Sequence, residues 1–129
     1  MSRLDIDTWK SVSFLSYSPC LATIADMVLI QGIREKIATG AFEFSQHATD
    51  QSILRHISVQ EIREAIAVGE VIEDYPDDKY GPSCLILGFT GAARPIHVQC
   101  SYPSRPLIKL ITLYEPDPGL WIDHKQRRK

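Results

Sequence analysis

Two short constellations carry groups suited to proton and anion chemistry. The first is His47, Gln51 and Arg55, each four residues from the next, a spacing that stacks all three on one side of a helix. A titratable imidazole, an amide and a fixed cation on one stripe suit binding an anion or moving a proton. The same stripe equally suits a histidine that buttresses a helix start while Gln51 and Arg55 face water. The second constellation is the strand Arg94-Pro-Ile-His-Val-Gln-Cys-Ser101. Period two sends Ile96, Val98 and Cys100 to one face and His97, Gln99 and Ser101 to the other. The apolar set belongs against helices. A histidine on the opposite, open face of a central strand needs a partner or a task, either catalysis or a tie to a backbone carbonyl.

Other chemistries lack their patterns. His47, His56, His97 and His124 form no metal-ligand spacing, so zinc is disfavoured and no metal or cofactor is expected. Cys20, Cys84 and Cys100 are an odd number with no close pair, which suits neither a disulfide scaffold nor a thiolate metal site. Cys84 and Cys100 sit in apolar stretches and read as small buried hydrophobes; reduced, cytoplasmic conditions fit. Gly81, Gly88 and Gly91 fall at turns or within a strand, so no glycine-rich phosphate loop is present, and there is no nucleophile elbow. No apolar run approaches the ~20 residues that cross a bilayer.

The chain has 129 residues and a formal net charge of -2, which argues against a polycation that coats nucleic acid by charge alone. The charge is unevenly dealt. Glu61, Glu64, Glu70, Glu73, Asp74, Asp77 and Asp78 stand against Arg63, whereas Lys79 to Tyr114 holds Lys79, Arg94, Arg105 and Lys109 with no acid. Lys125, Arg127, Arg128 and Lys129 close the chain. A basic sheet and tail suit phosphate contacts, and an ordinary solvated face is the plain alternative. Tyr75, Tyr80, Tyr102 and Tyr114 lie near strand ends, where a tyrosine stacks on bases or edges the core.

The elements that must position these groups fit one domain. Residues 1–26 keep no clean period and read as an N-terminal extension; residues 27–129 read as a single α+β domain. Val28 to Thr39 has helical spacing and Gly40 a stop signal; Ala41 to Ser45 alternates as a short strand. A second helix runs from His47 to about His56. Ser58-Val-Gln-Glu61 is a capping box opening a third helix, with Val59, Ile62, Ala65 and Ile66 inward and Gly69 as its close. Strands follow at Val71–Tyr75, Cys84–Thr90, Pro95–Ser101 and Leu107–Tyr114, joined by connections too short for parallel crossovers. The expected architecture is two or three helices on one face of an antiparallel four- to five-stranded sheet.

From about Ile33 to Arg128 the chain resembles a family of small bacterial proteins known as domain of unknown function 4258. The resemblance rests on Phe44-Ser-Gln-His-Ala48, Arg55-His-Ile-Ser58, Gly69-Glu-Val-Ile-Glu-Asp-Tyr-Pro76, Cys84-Leu-Ile-Leu-Gly88, Arg94-Pro-Ile-His97, Ile111-Thr-Leu-Tyr-Glu-Pro-Asp117 and Trp121. It implies a fold similar to RelE- and ParE-like toxins of toxin–antitoxin pairs, some of which are metal-free ribonucleases while others inhibit targets without cutting RNA. One departure stands out: Gln51 occupies a position where members commonly have arginine.

For RNA cleavage, a 2′-hydroxyl attacks the adjacent phosphate while one group removes its proton, another protonates the leaving oxygen and cations hold the phosphorane. On that reading His97 and His47 are the acid–base pair and Arg55 and Arg94 hold phosphate. Tyr75, Lys109, Tyr114, Arg127 and Arg128 contact RNA. Partners are RNA or the ribosome and a cognate antitoxin, with room for a homodimer and no membrane. The alternative is a binding module of the same fold that captures a protein or ribosomal partner without turnover. The two readings part on whether His47 and His97 open into one arginine-lined hollow.

Overall fold

Each helix begins where a hydroxyl can reach forward over three residues. In the computed structural model, which describes residues 23–128, α1 (Ile24–Ala38), α2 (Gln46–Leu54) and α3 (Val59–Ala67) follow Thr23, Ser45 and Ser58. Their side-chain oxygens accept the backbone N–H groups of Asp26, Ala48 and Glu61, satisfying amides that the first turn leaves without intrahelical partners. The Glu61 carboxylate in turn accepts the Ser58 N–H at 3.0 Å, completing the expected capping box. α1 closes with Ala41 N–H on the Lys36 carbonyl and Gly40 N–H on that of Ile37. α2 closes the same way, with Ile57 N–H on Ser52 and His56 N–H on Ile53. The left-handed residue is Gly40 (φ 79°) in one turn and His56 (φ 54°) in the other. α1 starts ahead of Met27, so the expected boundary between extension and domain falls inside a helix; the rest of that extension, residues 1–22, lies outside the described residues.

Among the described residues seven strands follow or intervene: β1 (Phe42–Phe44), β2 (Glu70–Tyr75), β3 (Ser83–Phe89), β4 (Pro95–Ser101), β5 (Ile108–Tyr114), β6 (Trp121–Ile122) and β7 (Gln126–Arg127). β2 to β5 form the expected antiparallel meander, and the five-stranded sheet has the order β1-β5-β4-β3-β2. β1 corrects the expected all-antiparallel sheet. It pairs in parallel with β5, Phe42 opposite Ile108 and Phe44 opposite Leu110, so the sheet is mixed. Two helices and three strands separate the pair, so no tight turn imposes an antiparallel register. The fold class is α+β.

The helices cover one face of the sheet. Ile33, Ile37, Ile57, Ile62 and Ile66 meet Cys84, Ile86, Ile96, Val98, Cys100 and Leu110 in one buried cluster. α3 lies so close to β3 that a Cβ added at Gly88 would stand 1.8 Å from the Ala65 carbonyl oxygen. Gly69, expected only as the stop of α3, is held to glycine by the same approach. The cap is Val68, while a Cβ at Gly69 would meet Ile86 at 2.7 Å and the Ala65 oxygen at 2.9 Å.

The other face is not open. Leu85, Leu87, His97 and Trp121 are buried there, apart from the helix-side cluster, with the small β6–β7 hairpin laying Trp121 and the His124 carbonyl against His97. Asp123 (φ 52°) and His124 (φ 65°) are consecutive left-handed residues, and the Lys125 N–H meets the Ile122 carbonyl at 3.0 Å, the pattern of a type I′ turn. The described residues therefore form three layers: helices, sheet and the β6–β7 hairpin. No helix among the described residues is long and apolar enough to cross a membrane.

Gly88→Ala should destabilise the fold by about 3 kcal/mol or more, because helix backbone rather than a yielding side chain blocks the added carbon. Urea denaturation of the variant against wild type checks this; an unchanged midpoint contradicts the close packing.

Candidate functional site

The second face of the sheet gathers most of the residues that the sequence singles out, and the register explains why. Leu87, His97 and Tyr114 lie opposite one another across β3, β4 and β5, as do Leu85, Gln99 and Thr112. Alternation places all six on the face turned away from the helices. Over this face the chain after β5 returns and lays Trp121 and His124 on the strands.

His97 sits at the centre of that contact with no solvent exposure. Its Nε2 lies 2.6 Å from the His124 carbonyl oxygen and its Nδ1 3.2 Å from the Tyr114 hydroxyl. A carbonyl only accepts, so Nε2 carries the proton and donates to His124, and Nδ1 accepts from the Tyr114 O–H. Trp121 meets the imidazole edge-on at 4.5 Å between centroids, and Tyr114 does so at 5.2 Å. Burial pushes the His97 pKa below its ordinary value, since the charged ring loses its hydration. It also raises that of Tyr114. Both ring nitrogens are occupied within the protein, the backbone-tied arrangement weighed above as the alternative to catalysis.

His47 has a different setting. Ser45 N–H bonds to the Leu110 carbonyl and the Ser45 hydroxyl donates to that of Ile111 at 2.9 Å, so α2 starts directly against β5. His47, exposed in the first turn, reaches the Thr112 hydroxyl at 3.1 Å. Gln51 and Arg55 follow on the expected stripe, with the Arg55 Nε donating to the Gln51 side-chain oxygen. Among the described residues no hydrogen bond or ring contact joins His47 to His97. The first is exposed and the second closed in, so they do not share an open hollow.

Arg94 is fully engaged at another corner. Its guanidinium donates to the carbonyls of Arg55 and His56, both at 2.9 Å, at the C-terminal end of α2. It also reaches both oxygens of Glu61 and, at 3.1 Å, Glu115. A cation at a helix C-terminus neutralises the negative end of the dipole, and the Glu61 pKa is lowered, first by the Ser58 backbone N–H and then by Arg94. This cluster joins α2, α3, β4 and the chain after β5.

Of the residues expected to touch RNA, Lys109, Arg127 and Tyr75 meet acids of the same chain, Tyr114 bonds to His97 and Arg128 to a backbone carbonyl. Lys109 faces Glu43 at 3.7 Å. Arg127 donates to both oxygens of Glu73 and lies over the Trp121 ring at 4.7 Å. Arg128 donates to the Pro118 carbonyl. The Tyr75 hydroxyl donates to Glu73, and burial pushes its pKa up to about 12. Lys125, though not among those candidates, meets Glu70 at 3.2 Å. The acidic β2 and the basic tail, read above as separate patches, are thus partners across β2 and the hairpin. Sequence reasoning missed Trp121, His124, Glu73 and Glu61 as the groups that fix these side chains. Among the described residues no three His, Cys, Asp or Glu gather as a metal site.

Residues 44–115 match the family model described as Domain of unknown function (DUF4258). The match spans more than half of the chain, and the chain belongs to that family. Neither the curated proteins nor the solved structures yield a match.

The His97 shift sets a pH dependence. Above about pH 6.5 the ring is neutral in folded and unfolded chains alike; below it the unfolded chain gains a proton that the folded chain resists. Stability should therefore fall as pH drops from 7 toward 5, and His97→Gln should flatten the dependence in that window. Urea midpoints at pH 5, 6 and 7 for both proteins check it, and equal slopes would contradict it.

Proposed function

We propose that this chain is a non-catalytic binding module that captures a protein partner. One observation carries the reading: His97, the strongest acid–base candidate, is a buried neutral ring with both nitrogens engaged. A general acid or base must reach a substrate atom within hydrogen-bond distance, and His97 is covered by its own hairpin. Two further features support a protein over RNA as the partner. Arg94, Lys109 and Arg127 meet carboxylates of their own chain, which weakens the counterion-release contribution to nucleic-acid affinity. Exposed Val68, Phe89, Ile53 and Leu54 supply apolar contact area.

A toxin-like, metal-free ribonuclease of RelE-like fold, held by an antitoxin and acting at the ribosome, is the second reading. The exposed imidazole of His47, on the same helix stripe as Gln51 and Arg55, favours it, with His47 as base and a second proton-transfer group still required.

Incubating the full chain with a mixed-sequence RNA in the presence of EDTA separates the two. The binding-module reading expects intact RNA and affinity no tighter than the ~10⁻⁴–10⁻⁶ M of non-specific charge contact. Cleavage that His47→Ala abolishes while the fold stays intact would overturn it.

A further inference from the structure

Resting on the reading of the chain as a protein-binding module, we propose that the surface across α3 is the docking site. Its occupant is an amphipathic helix whose acidic residues flank a narrow apolar stripe. Two hollows border α3. One, of about 530 Å³, lies between α3 and the second half of α1. The other, of about 490 Å³, runs from α3 to the β3–β4 turn. Glu64 and Ala67 line both, so the hollows form one surface with a low ridge.

The shape suits a helix. Ile37 and Ile66 are buried beneath the first hollow, so its accessible apolar surface is that of Ala38 and Ala67, whose small side chains let a second helix approach. Val68, 65% exposed, offers a larger apolar contact in the second hollow.

Charge selects the occupant. Arg94, Lys109, Lys125 and Arg127 each meet a carboxylate, but among the described residues neither arginine of this surface does. Arg34 donates to the carbonyls of Ile66 and Gly69, and Arg63 lies over the Phe42 ring at 5.4 Å. Glu64, the acid of the lining, has its two oxygens on the Gly91 N–H and the Gln60 amide. Among the described residues the surface therefore presents two guanidinium groups without carboxylates beside exposed Ala38, Ala67 and Val68. A carboxylate at a guanidinium gains a charge-assisted hydrogen bond, and the exposed apolar side chains favour aliphatic groups over a sugar–phosphate chain.

A displayed library of single-helix peptides, panned on the full chain, tests the proposal. The selected peptides should carry acidic residues beside an apolar stripe. Their binding should fall about tenfold or more in Arg63→Glu and in Ala67→Glu, with unchanged thermal melts, and their NMR footprint should centre on Arg34, Arg63 and Ala67. Selection of basic or neutral helices, binding indifferent to both substitutions, or no enrichment would overturn it. So would concentration-dependent shifts of the same residues without peptide, which would make a second copy the occupant. Peptides bound elsewhere would sink this site while leaving the protein-binding reading intact; RNA cleavage in the EDTA assay would sink that reading on its own.

Discussion

The buried imidazole of His97 is the constraint around which the second face of the sheet is organised. A polar ring inside protein is tolerable only if its nitrogens are satisfied. Here one donates to the hairpin carbonyl of His124 and the other accepts from Tyr114 on the neighbouring strand. The three groups link β4, β5 and the terminal hairpin, and Trp121 closes over them. Leu85 and Leu87, on the same face, are buried as well. The left-handed backbone at Asp123 and His124 turns the hairpin so that its carbonyl points at the ring.

Electrostatics reinforces the same closure. The acids of β2 and the bases of the tail are far apart in sequence, yet Lys125 with Glu70 and Arg127 with Glu73 stitch the hairpin to the sheet edge. Such part-exposed pairs each contribute at most about 1 kcal/mol; their larger effect is to leave the sheet without the strong positive field that its sequence suggests. Arg94 acts likewise on the other side, where it holds the carbonyl end of α2 and the carboxylates of Glu61 and Glu115. Among the described residues the α3 surface keeps two arginines without a carboxylate, Arg34 and Arg63, beside apolar side chains.

Much of the fold is legible in the sequence because its determinants are local. Ser58 and Glu61 announce a helix start wherever they sit, Gly40 announces a stop, and alternation in Ile96-His-Val-Gln-Cys100 assigns each side chain to a face. The parallel pairing of β1 was not legible, since register between distant strands depends on what else has packed. The site was only half legible. Alternation puts His97 on the face away from the helices but says nothing of what covers that face. A signal was present in Cys84-Leu-Ile-Leu87, apolar at both parities, as strands buried on two sides are. Trp121 supplied the matching apolar cover. The ion pairs of the tail had no local signature, because sequence distance conceals which charges become neighbours.

Several of the motifs that carry the family resemblance have architectural roles. Ser45 and His47 seat α2 on β5, Arg55-His-Ile-Ser58 forms the stop of one helix and the start of the next, and Arg94 and His97 lock the layers together. The most direct measurement is the ¹⁵N NMR titration of the His97 ring. A neutral ring protonated at Nε2 is expected, with a midpoint below the ordinary histidine value of about 6.5. A midpoint at or above that value, or a proton resident on Nδ1, would contradict it and return His97 to the acid–base chemistry that its sequence context suggests.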